Sequence, residues 1–468
     1  MIPTTTEPAA LQPKSKVDPF VEWALWVKDN VEAFVVAFII ALVVRCFCLE
    51  VFKIPTGSMT PTLLGDHNAG EVPVGGDRIM VSKFMYHFFP LQRFDVVVFK
   101  FPLDTSRNFI KRLVGLPKER LLVQQGDLYS CPDGEKEFRI ARKPLRVQES
   151  IWMPVFPSEK GGLKDGWEPV PAPATQFEGE TALLDTKGVP GEDVTLAYKR
   201  RVFDSYEPYS HGGGGQEVGD LRLAATLTWL GGSGGVTLRI RSVPDWVEAW
   251  IPANGKGRLQ WQKDGGATME APFDAPVGDG KPHDVALLNY DGLAHLRIDG
   301  EKVAELSYRE VKAPLSKGDS NASFIVHSGK ASLEHVTLHR DVFYLDGGPG
   351  SALFPEETPI QIPERCYFMM GDNSPNSKDS RLWNLKVISL KDGRTIRADT
   401  SNVRYSGGDD PGYDVRDIYG VEYHIKRADM KAQPETAPKS DAVFVQEDLI
   451  VGKAFYLWWP VNRMKLIR

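Results

Sequence analysis

The sequence predicts a mainly β protein with an N-terminal transmembrane helix, in which a β-barrel-like core is interrupted by a β-sandwich. Three observations carry this reading. Residues 33–44 form an uninterrupted apolar run. Short β-branched runs bounded by turn residues follow it and return near the far end. Between them lies a long region of alternating strands, hairpin signals and glycine clusters. The 468 residues suffice for two or three domains with a sizeable core. A net charge of -6 gives no footprint for nucleic acid, and none is expected as a partner.

Residues 1–19, rich in Pro, Thr and Lys, are expected to be a disordered cytoplasmic tail. The anchor is expected over 20–50. A spanning helix wants about 20 mostly apolar residues. Arg45 near one end can snorkel to the interface, and Trp23 and Trp26 suit the opposite one. A cleaved signal peptide and a buried core helix are the alternatives. No clear Ala-x-Ala site follows, and the tail is long for a leader. Lys14, Lys16 and Lys28 precede the span and favour a cytoplasmic tail. Cys46 and Cys48 read as small hydrophobes within it.

The first part of the core is expected over 51–144, with strands at Arg78–Lys83, Asp95–Lys100 and Phe109–Val114. The insertion is expected over 145–345. Strands are read there at Leu221–Leu230, Val236–Ile240 and Gly257–Gln262, and turns at Asp291-Gly292 and Asp299-Gly300. Gly212–Gly215 and Gly231–Gly235 read as loops. The core resumes over 346–384. A second insertion spans 385–442, and a closing strand with the C-terminal residues occupies 443–468. There, Phe455–Pro460 is too short to span and either touches a bilayer or closes the barrel. Cys131 and Cys366 either pair across the neck of the insertion, in an oxidising compartment, or are unrelated thiols.

Serine is a weak nucleophile and needs a base. The nine histidines offer no convincing triad; His67, His87, His211, His283 and His295 stand in loop-like or alternating contexts. No G-x-S-x-G elbow surrounds Ser58, and no HExxH is present, so neither a metal nor another cofactor is expected. Lysine is an alternative base only when neutral, which burial in apolar surroundings favours. Lys111 has Phe109, Ile110, Leu113 and Val114 around it.

Four ordered blocks then resemble type I signal peptidase, the membrane-bound Ser/Lys leader peptidase of S26 type. They are Ile54–Leu63 around Pro55-Thr56-Gly57-Ser58-Met59-Thr60, Gly76–Val81, Lys111–Pro117, and Gly371–Arg381. The resemblance covers about a quarter of the chain. It implies that Ser58 attacks the scissile carbonyl and Lys111 takes its proton. It implies an oxyanion hole from the Ser58 N–H and the Thr56 hydroxyl. Ser377 is expected to hydrogen-bond and orient Lys111, braced by ion pairs among Asp379, Arg381, Arg112 and Asp372. Phe52, Ile54, Met59, Leu63, Val98, Phe109 and Ile110 are expected to line shallow pockets for small side chains. Lys118-Glu119 and Ser374-Pro375 depart from the family pattern, the first affecting a turn more than chemistry.

The implied activity is removal of signal peptides from exported preproteins. It places the enzyme as a single-pass protein in the bacterial cytoplasmic membrane, its catalytic domain on the extracytoplasmic side. Partners are then the preproteins and the bilayer. The middle region resembles a concanavalin/laminin-G-like jelly roll, carried by Asp284–Tyr290, Ala294–Gly300 and Val303-Ala304. This leaves a glycan or protein ligand, or a purely structural role, open. The insertion is expected to be dispensable for peptide cleavage because the motif blocks flank it. Two other readings share these features. One is a self-cleaving Ser/Lys repressor-type protease, which the anchor opposes. The other is a membrane-tethered binding protein with an inactive core.

Overall fold

The computed structural model describes residues 18–43, 45, 48–69, 72–157, 162–204, 215–242, 245–263, 266–309, 320–347, 359–408, 410–437 and 443–468. Most of the expected tail, Cys46, His211 and Gly212–Gly214 lie outside them.

The helix Pro19–Val43 comes first. Lys28, Asp29 and Glu32 interrupt its apolar face, leaving an unbroken apolar stretch only from Ala33. At 1.5 Å per residue that stretch rises about 16 Å by Val43, roughly half the ~30 Å hydrocarbon core of a bilayer. No helix among the described residues is long and apolar enough to cross a membrane.

The core sheet follows. Its order is Leu49–Lys53, Arg78–Ser82, Ile450–Trp459, Val96–Phe101, Asp104–Gly115, Cys366–Met370 and Val445–Gln446, with Lys465–Leu466 also on Ile450–Trp459. The strand latest in sequence among the long ones therefore lies in the middle. This decides the fate of Phe455–Pro460: its strand residues pair with Arg78–Ser82 and close the sheet. Lys111 pairs with Val97 and Arg112 with Val96. A four-stranded sheet of Ile360–Gln361, Glu119–Gln124, Asp127–Pro132 and Arg139–Ile140 stands beside it. Cys131 and Cys366 are free thiols, so the neck is not bridged.

The middle region is a 13-stranded assembly built on two long paired strands, Leu221–Ser242 and Ser320–Arg340. One face of these strands is continuously apolar, through Leu223, Leu227, Leu238, Ile240, Phe324 and Val326. Asp291 and Asp299 take left-handed backbone at the expected hairpin turns. Gly231–Gly235 is not a loop. It continues the strand through two register shifts, between Trp229 and Gly231 and between Gly232 and Gly235. Glycine tolerates the bulge geometry that other residues resist. The helix Leu145–Ile151, expected in the insertion, sends Val147 and Ile151 into the core cluster with Phe94, Val114 and Phe368. The second insertion forms two three-stranded sheets over one small core that includes Ile388, Ala398, Val415 and Ile425.

Candidate active site

Ser58 lies in a single 3₁₀ turn, Gly57–Met59, directly after the edge strand Leu49–Lys53. Such a short turn leaves its first N–H groups without intrahelical partners. The turn is held from below by backbone. Gly65 packs so closely that a side chain there would strike the Thr56 carbonyl at 2.4 Å. Asp77 donates its backbone N–H to the Leu64 carbonyl, and its carboxylate accepts the Leu64 N–H at 2.7 Å. Arg463 grips the same carboxylate through Nε and NH2 at 3.0 and 2.9 Å.

From the other side Asn373 clamps the turn. Its backbone N–H donates to the Ser58 carbonyl, and its Nδ2 donates to the Gly57 carbonyl, both at 3.1 Å. Gly371 also abuts the turn: an added Cβ would lie 2.4 Å from the Ser58 carbonyl oxygen and 2.2 Å from Ser377 Oγ. The close approach of the two chain segments therefore requires glycine.

Lys111 meets Ser58 across this arrangement. Its Nζ donates to Ser58 Oγ at 2.6 Å, and the two residues are 5% and 6% exposed. Burial pulls the lysine pKa from 10.5 down to about 8, opposed by Asp379 and Asp372 and aided by Arg381. The Phe109 ring lies 5.8 Å from the ammonium. Thr56 is exposed at the mouth, its Oγ1 3.5 Å from Ser58 Oγ.

The charged groups form two separate buried pairs. Arg112 binds Asp372 through Nε and NH2, both at 2.7 Å, and NH2 also donates to Thr62 Oγ1 at 3.0 Å. Thr62 Oγ1 in turn donates to Asp372 at 2.5 Å. Burial alone would lower the Arg112 pKa, but the Asp372 carboxylate outweighs it and raises it. Arg381 binds Asp379 at 2.8 and 2.7 Å, while Asp379 also accepts the Gly371 N–H at 3.0 Å.

Two expectations change. Ser377 Oγ is buried without a hydrogen-bond partner, and the expected bond to Lys111 is not made. The Lys111 ammonium points to Ser58 Oγ, and Ser377 Oγ lies instead against Gly371. Of the expected pocket residues, Ile54, Met59, Leu63 and Val98 are at most 2% exposed and form one apolar cluster. Phe52 and Ile110 sit half-buried at its margin. Phe109 belongs to a neighbouring cluster with Phe99, Phe101 and Trp383. The unusual Lys118-Glu119 forms a tight turn: Lys118 has φ 63°, and Glu119 accepts the Leu116 N–H while pairing with Arg93.

The family model "Signal peptidase, peptidase S26" matches residues 26–140 and 292–395. The matched segments take in Ser58, Lys111 and the Gly371–Arg381 block, and part of the sandwich. A probable signal peptidase I-1 of Synechocystis sp. is 36% identical over 136 residues, covering 28% of this chain and 64% of that one. A signal peptidase I of Pseudomonas aeruginosa is 37% identical over 141 residues, covering 26% and 44%. The chain thus spans about half the length of these relatives. Among solved structures, a carbohydrate binding module from Bacillus subtilis aligns at 13% identity with a TM-score of 0.26, over 37% of this chain and 95% of that one.

Asp77 and Asn373 lie within the motif blocks, yet residue type alone does not give their backbone-clamping role. Arg463 carries no sequence signal, since it reaches Asp77 from the far end of the chain.

Proposed function

We propose that this protein is a membrane-anchored Ser/Lys endopeptidase of the signal peptidase I type, acting on exported preproteins. One observation carries the reading: the buried 2.6 Å contact between Lys111 Nζ and Ser58 Oγ, with a lysine whose pKa burial has brought to about 8. A neutral Lys111 takes the Ser58 proton as Oγ attacks the scissile carbonyl. The developing oxyanion is met by the Ser58 N–H and the Thr56 hydroxyl. Lys111 then hands its proton to the leaving amine, and water hydrolyses the acyl-enzyme.

Substrate placement follows from unpaired edges. On its neighbour, Cys366–Met370 pairs with Arg112 to Gly115, which leaves the Asn108–Ile110 stretch without a strand partner on that side among the described residues. Leu49–Lys53 is the other edge of the sheet. An extended peptide adds a strand to such edges. Phe52, Phe109 and Ile110, half-exposed, face its small side chains, with the buried Ile54, Met59, Leu63 and Val98 as the floor.

Membrane anchoring is part of the proposal. The Pro19–Val43 helix exposes Phe20, Trp23, Trp26, Phe34 and Phe38 along its length. Leu49 pairs with Ser82, so the helix enters at the end of the sheet where Phe84, Phe88 and Phe89 are also exposed. That rim suits a bilayer surface.

The test is cleavage of a preprotein in detergent by the wild type and Ser58→Ala, with the cut mapped by mass spectrometry. The expected result is a Ser58-dependent cut with small residues at the first and third positions before it. Equal cutting by Ser58→Ala, or none by a folded wild type, rejects the proposal.

A further inference from the structure

We infer that the segment by which the chain leaves the inserted β-sandwich supplies positioning residues, Tyr344 and Leu345, to the Ser58/Lys111 site, so that the insertion's exit is part of the active-site scaffold. This rests on the Ser/Lys reading of that site.

The strand Ser320–Arg340 leaves the sandwich and runs directly into Asp341–Leu345. Within this short exit segment, three contacts reach the last catalytic block. The Leu345 N–H donates to Ser374 Oγ at 2.9 Å. Its carbonyl accepts from Arg381 NH1 at 3.1 Å. Tyr344, 1% exposed, donates its hydroxyl to Asp372 Oδ1 at 3.4 Å. Arg381 and Asp372 are two of the charges that act on Lys111, with Asp379. Arg381 also fixes the Ser374 carbonyl at 2.8 Å, next to the Asn373 that clamps the nucleophile turn. The exit segment therefore holds both charge pairs and the block that positions Ser58.

The other end of the segment is locked to the sandwich and to the core together. Lys143, 5% exposed, places its Nζ 2.6 Å from Asp291 Oδ1 and 3.0 Å from Asp341 Oδ2. Gln148 Nε2 donates to Asp341 Oδ1 at 2.9 Å. Arg142 reaches the carbonyls of Asp291 and Arg309, and Arg309 pairs with Asp127 at 2.5 Å. Asp220 accepts the Asp291 N–H at 2.9 Å. Lys143, Arg142, Gln148 and Asp127 come from the core side, and Asp291, Arg309, Asp220 and Asp341 from the sandwich side. Buried charges separated from their partners are strongly unfavourable, so this joint does not hinge freely. The sandwich and the catalytic block are then one mechanical unit, which argues against a dispensable insertion.

The full chain in detergent tests this with Tyr344→Phe, which keeps the ring, and Asp341→Asn, which touches no group of the catalytic block. Hydrogen exchange of peptides covering 371–381 is read beside kcat, KM and the kcat–pH profile on a signal-peptide reporter. Tyr344→Phe is expected to raise exchange there and to lower kcat about threefold to tenfold with KM unchanged. Its acid limb should move to higher pH, because an Asp372 relieved of a donor acts more strongly on Lys111. Asp341→Asn should raise exchange in 371–381 from a distance. Parent-like exchange and kcat in both variants overturn the inference. Raised exchange in a chain whose parent cuts nothing upholds the coupling and discards the Ser/Lys reading. Unchanged exchange in a chain whose parent cuts does the reverse.

Discussion

On the proposed Ser/Lys chemistry, the proton on Lys111 sets both the rate and part of the stability, and each can be worked from one number. With the pKa at about 8, about a tenth of the lysine is neutral at pH 7 and about nine tenths at pH 9. kcat for a Ser58-dependent peptide cut is therefore expected to rise about tenfold between these values. The stability side has a definite sign. Unfolded, Lys111 titrates near 10.5, and folded, near about 8. Between the two the unfolded chain binds the extra proton, so stability rises with pH through that window. Below about 8 the burial penalty is fully present and amounts to about 3 kcal/mol. Lys111→Met removes the base and the penalty together. It should be inactive, yet more stable than the wild type at pH 7 by up to about 3 kcal/mol, with the gap closing toward pH 10.5. Urea unfolding at pH 7 and 10 reads the second effect, and a fluorogenic peptide assayed from pH 6.5 to 9.5 reads the first. A flat kcat profile, or a Lys111→Met variant that is less stable at both pH values, would refute the assignment of a depressed lysine.

Gly371→Ala places a methyl against the Ser58 carbonyl and should cost about 100-fold in kcat, as a displacement of about 1 Å does, while circular dichroism stays that of the parent. Asp372→Asn leaves the buried Arg112 without its counter-charge; urea melts should show a loss of about 3–5 kcal/mol. Lys118→Gly relieves a left-handed residue whose ion pair with Glu364 is exposed. It should stabilise by about 0.5–1 kcal/mol with kcat unchanged, and a fall in melting temperature would contradict this.

The contact of Ser58 with Lys111 and the neighbouring charge pairs were legible because they sit in short contiguous blocks where spacing and residue type carry the signal. Ser58, Lys111, Arg112 with Asp372, and Asp379 with Arg381 come together as those blocks imply. What the sequence hides is geometry across long separations. Ser377 and Lys111 each suit a hydrogen bond, but the rotamer of a buried ammonium is set by packing. Apolar residues of the pocket set read alike whether they floor a pocket or fill a core, and Met59 and Leu63 are 0% exposed. Gly231–Gly235 carries loop composition, yet its neighbours in the ladder hold it in a strand. Tyr344 and Leu345 lie outside every motif, and only the fold brings them to Asp372 and Arg381.

The place of Ile450–Trp459 between Arg78–Ser82 and Val96–Phe101 has a consequence for biosynthesis. While the ribosome is still making the sandwich, the strands that bear the nucleophile's turn and the lysine have no seam to join them. Pairings so distant in sequence form late, after the intervening chain has found its own fold. Until that last long strand slots in, Ser58 and Lys111 belong to two unconnected half-sheets. The meeting of Ser58 with Lys111 therefore waits on the last long strand of the chain.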